Sequence, residues 1–179
     1  MNRKISFWQM IGFLFVSILG TGLHFLFELT ERWIGASFFS AVNESIWEHM
    51  KLLFYPMLLF ALIQRRFWGS MQENFWCIKA TGILAGLLLI PALYYTYTGI
   101  LGVSADWFNI TIFFLAAGFT YWLEAKLFQK PFFCNNQKRC AIASIFLWII
   151  LFTLFTFYPL RIPFFRDPLT QTYGYFQRK

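Results

Sequence analysis

Four ionisable side chains fall within eight positions of an otherwise apolar stretch, in Asn43-Glu44-Ser45-Ile46-Trp47-Glu48-His49-Met50-Lys51. A second pair, His24 and Glu28, stands four residues apart near the end of the preceding apolar run. Glu44 and Glu48 share that spacing, which on a helix lets two side chains reach one ion. With His49 included, the two segments offer two imidazoles and three carboxylates, a donor set that zinc, iron or manganese accepts. Such an ion acidifies water and polarises a carbonyl or phosphoryl oxygen. The expectation is a site for zinc or another divalent transition metal, with His24, Glu28, Glu44 and His49 as ligands. Glu48 is then the general base, and Ser45 a second catalytic candidate. Lys51, Asp106 and Asp167 are expected as lid or accessory residues at the same end.

A plainer account competes. Ser45-x-x-Glu48 has the spacing of a helix capping box, and Asn43 is also a good cap. Lys51 can neutralise Glu44 or Glu48 from the adjacent turn. Capping has no use for His49, which is what favours chemistry.

The elements that would carry these residues cross a membrane. The chain has 179 residues, 59% of them hydrophobic, 23% aromatic and only 13% charged. A soluble domain of this size carries about 25% charged residues. Bilayer-length apolar runs recur, so the fold class is an all-α, polytopic membrane bundle of five helices. Spans are expected at 5–29, 41–63, 75–97, 106–123 and 140–160, with 161–179 as an interfacial tail, all in one domain. The second span decides the site. Its uninterrupted apolar part, 52–63, covers only ~18 Å of the ~30 Å needed. It must extend back to about residue 41, which would bring Glu44, Glu48, His49 and Lys51 onto the helix. Ile46, Trp47 and Met50 then take the opposite, lipid-facing side.

The net charge of +7 comes from basic residues that flank the spans, so it reads as orientation and not as nucleic-acid binding. It places the N-terminus in the cytoplasm and the tail outside, in a bacterial cytoplasmic membrane. Cys77, Cys134 and Cys140 then lie near the cytoplasmic side, where free thiols are expected. Both histidines and six of the eight acidic residues gather at the outer end.

Leu23-His24-Phe25, the Val42–Lys51 segment followed by Pro56, and the tail together resemble a family of small bacterial multi-spanning membrane proteins with no assigned activity. In that family the tail carries a glycine where this chain has Gln171, which puts its tight turn in question. Ser45-x-x-x-His49 is also similar to a fragment of membrane hydrolases of the alkaline ceramidase and adiponectin-receptor type. Those proteins need a later His-x-x-x-His, and no histidine follows His49.

The expected function is metal-assisted hydrolysis of a lipid or lipid-linked substrate. A proton- or cation-coupled transporter is the alternative, although no internal repeat of the usual transporter kind is present. A non-catalytic membrane factor that binds a partner through its tail is the third reading.

Overall fold

A computed structural model describes residues 3–72, 74–130 and 138–175. It contains α1 (Arg3–Leu29), α2 (Ile46–Phe67), α3 (Phe75–Leu101), α4 (Asp106–Leu127) and α5 (Lys138–Phe157), with short 3-10 turns at Ala36–Phe38, Gly69–Met71 and Pro163–Phe165. Among the described residues there is no strand, only an isolated bridge between Arg166 and Tyr173. All 5 helices are long and apolar enough to cross a membrane. This is the fold of a multi-pass membrane protein.

The second helix begins five residues later than the apolar-length argument requires. Ser45 terminates it by capping, its hydroxyl accepting from the Glu48 N–H at 3.4 Å. The missing length is added at the other end, where Gln64, Arg65 and Arg66 remain helical. Arg65 donates to the Gly69 carbonyl beyond that end, while long basic stems there keep their heads near water. The resulting 22 residues rise ~33 Å, enough for a bilayer core. Glu44 therefore sits in the loop before α2, and the expected i, i+4 pair with Glu48 on one helix does not form.

The α2 helix is the centre of the bundle. Of its most apolar window 67% is buried, against 22% for both α1 and α5. Ile46, Trp47 and Met50 accordingly face protein and not lipid. Trp47 is ringed by Trp148, Phe152 and Phe155 of α5 and by Phe164 and Phe165 of the tail. That aromatic cluster fastens the tail to the end of α2.

Small residues set the helix approaches. Pro56 has no N–H to offer the Leu52 carbonyl, and a Cβ on Gly20 would lie 2.7 Å from that same oxygen. The α1 helix thus presses its glycine against this carbonyl of α2. Gly82 and Gly86 seat α4 on α3, where added Cβ atoms would collide with Glu124 and Thr120. This Gly82-x-x-x-Gly86 spacing forms a packing seam within the chain. Glu124, which the sequence places at the exit of α4, is fully buried and pairs with Lys79 of α3 at 2.6 Å.

Cys77 is disulfide-bonded, contrary to the expectation of a free thiol, and Cys140 is free and exposed. Cys134 lies outside the described residues.

Candidate metal centre

The C-terminus of α1, the loop before α2 and the first turn of α2 meet at one end of the bundle. Here His24, Glu44 and His49 each offer one ligand atom, and all three atoms lie within 4.8 Å of one another. Glu44 Oε2 stands 3.6 Å from His24 Nε2 and 3.3 Å from His49 Nε2. A tetrahedral ion with bonds of ~2.1 Å holds its ligand atoms ~3.4 Å apart. Two of the three edges already have that length.

The tautomer of His49 sharpens the point. Its Nδ1 is 3.0 Å from the Ser45 carbonyl, which can only accept, so Nδ1 carries the hydrogen. In the neutral ring Nε2 then turns a lone pair toward the Glu44 carboxylate. Two acceptors at that distance require a positive charge between them, either a proton or a metal ion. A histidine that donates its second nitrogen to a backbone carbonyl is also the usual arrangement of a metal-ligating imidazole. The imidazoles of His24 and then His49 hold the Glu44 carboxyl well below the usual carboxylate range, against the opposing effect of burial.

The remaining expected residues are distributed differently. Glu48 is buried away from the cluster with both oxygens engaged. Its Oε2 accepts from Lys51 Nζ at 2.6 Å and from the Val42 N–H at 3.1 Å, and Oε1 accepts from the Thr156 hydroxyl at 2.9 Å. Lys51 also donates to the Ser37 carbonyl and to Thr156. Its side chain is 0% exposed and that of Glu48 is 1%. This knot joins α2, α5 and the linker from α1, and it fixes the loop that presents Glu44. Glu48, expected as the base, thus has both oxygens committed to this knot and is not among the three grouped ligand atoms. Ser45 is buried too, with its hydroxyl committed to the cap and its carbonyl to His49.

Glu28 points to Arg32 at 2.9 Å, with 65% of its side chain exposed, and does not join the three ligand atoms. Asp167 is 4% exposed. Its Oδ1 accepts from the N–H groups of Leu169 and Thr170, and its Oδ2 from the N–H of Glu44 at 3.4 Å. The tail is tied down further by Asn43 to the Gly174 carbonyl and by the Tyr175 N–H to the Thr156 carbonyl. Gln171 keeps its turn at φ +61° without the glycine.

Asp106 is exposed at the start of α4 and lines none of the cavities around the cluster. One turn later, Asn109 lines two of them. Its amide is held by the Tyr97 hydroxyl and Ser104. Asn109 is not among the residues expected from the sequence. A polar amide inside the first turns of an apolar helix was the available signal.

Three cavities converge on the cluster. A polar one of about 280 Å³ lies under the tail and includes His24, Glu28, Arg32, Glu44 and Asp167. An apolar one of about 180 Å³ runs between α1 and α4, past His24 and His49. A small one of about 30 Å³ between Glu44, His49 and Asn109 has room for about one water.

Residues 1–175 match a family described as a family of unknown function, DUF6512. The chain belongs to this family. No curated protein and no solved structure matches it. In this DUF6512 member the grouping of His24, Glu44 and His49 is the feature that bears on function.

Proposed function

We propose that the protein is a metal-dependent hydrolase of lipid or lipid-linked substrates, its ion held by His24, Glu44 and His49. The observation that carries the reading is three ligand atoms within 4.8 Å at the junction of a polar and an apolar cavity. A three-residue His/Glu/His set leaves a position for water or substrate, as catalytic zinc sites do. The ion, when bound, supplies an acidified water and a Lewis acid at the scissile carbonyl or phosphoryl group.

The chain's own residues do the rest. The Ser45 carbonyl keeps the His49 proton on Nδ1 and so presents Nε2 to the ion. Asn109, held by Tyr97 and Ser104, can orient a water in the small cavity beside Glu44 and His49. Glu28 lines the polar cavity and is restrained only by an exposed pair with Arg32, an interaction worth about 0–1 kcal/mol. It is the carboxylate free to accept the proton of an attacking water. Basic residues such as Lys4, Arg65, Arg66, Lys126 and Arg139 collect at the opposite end. By the positive-inside tendency the site opens away from the cytoplasm of a bacterial cell.

Detergent-purified protein loaded with zinc, incubated with ester, amide and phosphoester lipids in mixed micelles, should release a hydrolysis product detectable by mass spectrometry. Chelation and His49→Ala should each abolish release. A zinc-loaded protein that cleaves none of these lipids removes the hydrolytic reading. Proton flux in vesicles that His49→Ala eliminates would favour a transporter, since a proton also satisfies the contact between Glu44 and His49.

A further inference from the structure

We propose that the cleft between α1 and α4 seats the acyl chain of a single amphiphile. Its uncharged polar head lies in the cavity under the tail, and the linkage between chain and head is presented at His24 and His49. The inference deepens the hydrolytic reading by giving its substrate a shape, and rests on it only for the position of the linkage.

The cleft is apolar and built by helices that span the membrane. Its walls include Thr21 and Phe25 of α1 and Ile110, Phe113 and Phe114 of α4, and Leu52 lies at its back. Phe25 is 57% exposed and Ile110 59%. In a spanning bundle the medium at such a surface is hydrocarbon, so the occupant with access to the cleft is a lipid chain. Its floor is closed at Gly20, where the Phe113 ring and the Leu52 carbonyl approach within the space a side chain would take.

Continuity with the polar cavity makes the occupant an amphiphile and not a bulk chain. His24 lines both spaces, and His49 lines the cleft while Glu44 lines the polar cavity. A molecule lying in both must pass the three ligand atoms. The polar cavity carries Glu28, Glu44 and Asp167 against the one guanidinium of Arg32. In the metal-free protein three carboxylates against one guanidinium disfavour a phosphate head, and an uncharged hydroxyl- or amide-bearing head avoids that repulsion.

The test uses a monoacylglycerol with a photoactivatable diazirine in its chain, cross-linked to the full-length protein in detergent and mapped by mass spectrometry. Labels should concentrate on Thr21, Phe25, Ile110 and Phe114. In metal-stripped protein, unlabelled monoacylglycerol should compete at least tenfold better than the matching lysophosphatidic acid. Ile110→Trp and Thr21→Phe, both at exposed positions, should each lower labelling at least tenfold while bound zinc is unchanged. His49→Ala should lose zinc yet keep the label, which separates failure of the metal site from failure of the cleft. Labels spread evenly over all the spans, or labelling indifferent to both filling variants in monodisperse protein, would overturn the acyl seat. Equal competition by the phosphate-bearing lipid in the metal-stripped protein would overturn the head assignment.

Discussion

Replacing Lys51 with methionine decides whether Glu48 is a structural or a chemical group. The Lys51 ammonium makes three hydrogen bonds, to Glu48, the Ser37 carbonyl and Thr156, at 2.6, 2.8 and 2.9 Å. Those bonds use its whole donor capacity. Methionine fills much of the volume and removes the charge, leaving the Glu48 carboxylate at 1% exposure without a counter-ion. Breaking one side of such a pair costs about 3–5 kcal/mol. The Ser37 carbonyl also loses its ammonium donor, which places Lys51→Met in the upper part of that range. Glu48→Gln combined with Lys51→Met removes both charges, while the amide oxygen can still accept from Val42 and the amide nitrogen can donate to the Thr156 hydroxyl, which has lost the Lys51 donor. Neutral replacement of a whole buried pair is often tolerated, so the double variant should recover more than half of the loss. Reversible unfolding in mixed detergent and SDS micelles, followed by tryptophan fluorescence, gives the difference. The reasoning fails if Lys51→Met costs less than about 1 kcal/mol, or if the double variant is no more stable than the single. It also fails if Glu48→Gln keeps full stability and zinc affinity but abolishes turnover, because that would return Glu48 to the chemistry.

Zinc affinity should fall steeply on acidification, by up to ~100-fold per pH unit once both ligating imidazoles compete for protons; isothermal titration between pH 5 and pH 8 measures the slope. Glu44 contributes little to it. Its depressed carboxyl remains ionised through this range, and the stability it lends is present above the unfolded carboxylate value and lost only as pH falls through the lower folded one. A slope that Glu44→Gln abolishes would contradict that sign. Gln171→Gly should stabilise the tail by about 1 kcal/mol, because a left-handed backbone penalises a side chain by roughly that amount. Gly174→Ala should destabilise it, since φ is +57° and a Cβ would meet the Thr156 carbonyl at 2.5 Å. Thermal unfolding in detergent compares the two variants.

The sequence carried the architecture well. Each span has its own apolar run, and hydrocarbon leaves helices few alternatives. Pairing of His24 with the 44–49 segment was legible because both sit at span ends that topology puts on one side. Their partition was not. Apolar length argued that α2 should start near residue 41, but Ser45 caps it, and a cap is a local bond that overrides a hydropathy count. Moving that boundary by five residues separates Glu44, in the loop, from Glu48, in the core. Lipid exposure of Trp47 was misjudged because periodicity finds the polar face of a helix and cannot see that the other face is covered by α5 and the tail. Asn109 went unnoticed because its role depends on Tyr97 and Ser104, which only the turn between α3 and α4 brings to it.

Zinc titration of the purified, metal-stripped protein, in competition with a chromophoric chelator, tests the central claim most directly. One ion per chain should bind. Its affinity should fall in His24→Ala and in His49→Ala by more than the ~10–100-fold typical of losing a supporting residue, and Glu48→Gln should cost no more than that range. Absence of saturable binding, or equal affinity in wild type and both histidine variants, would contradict the account.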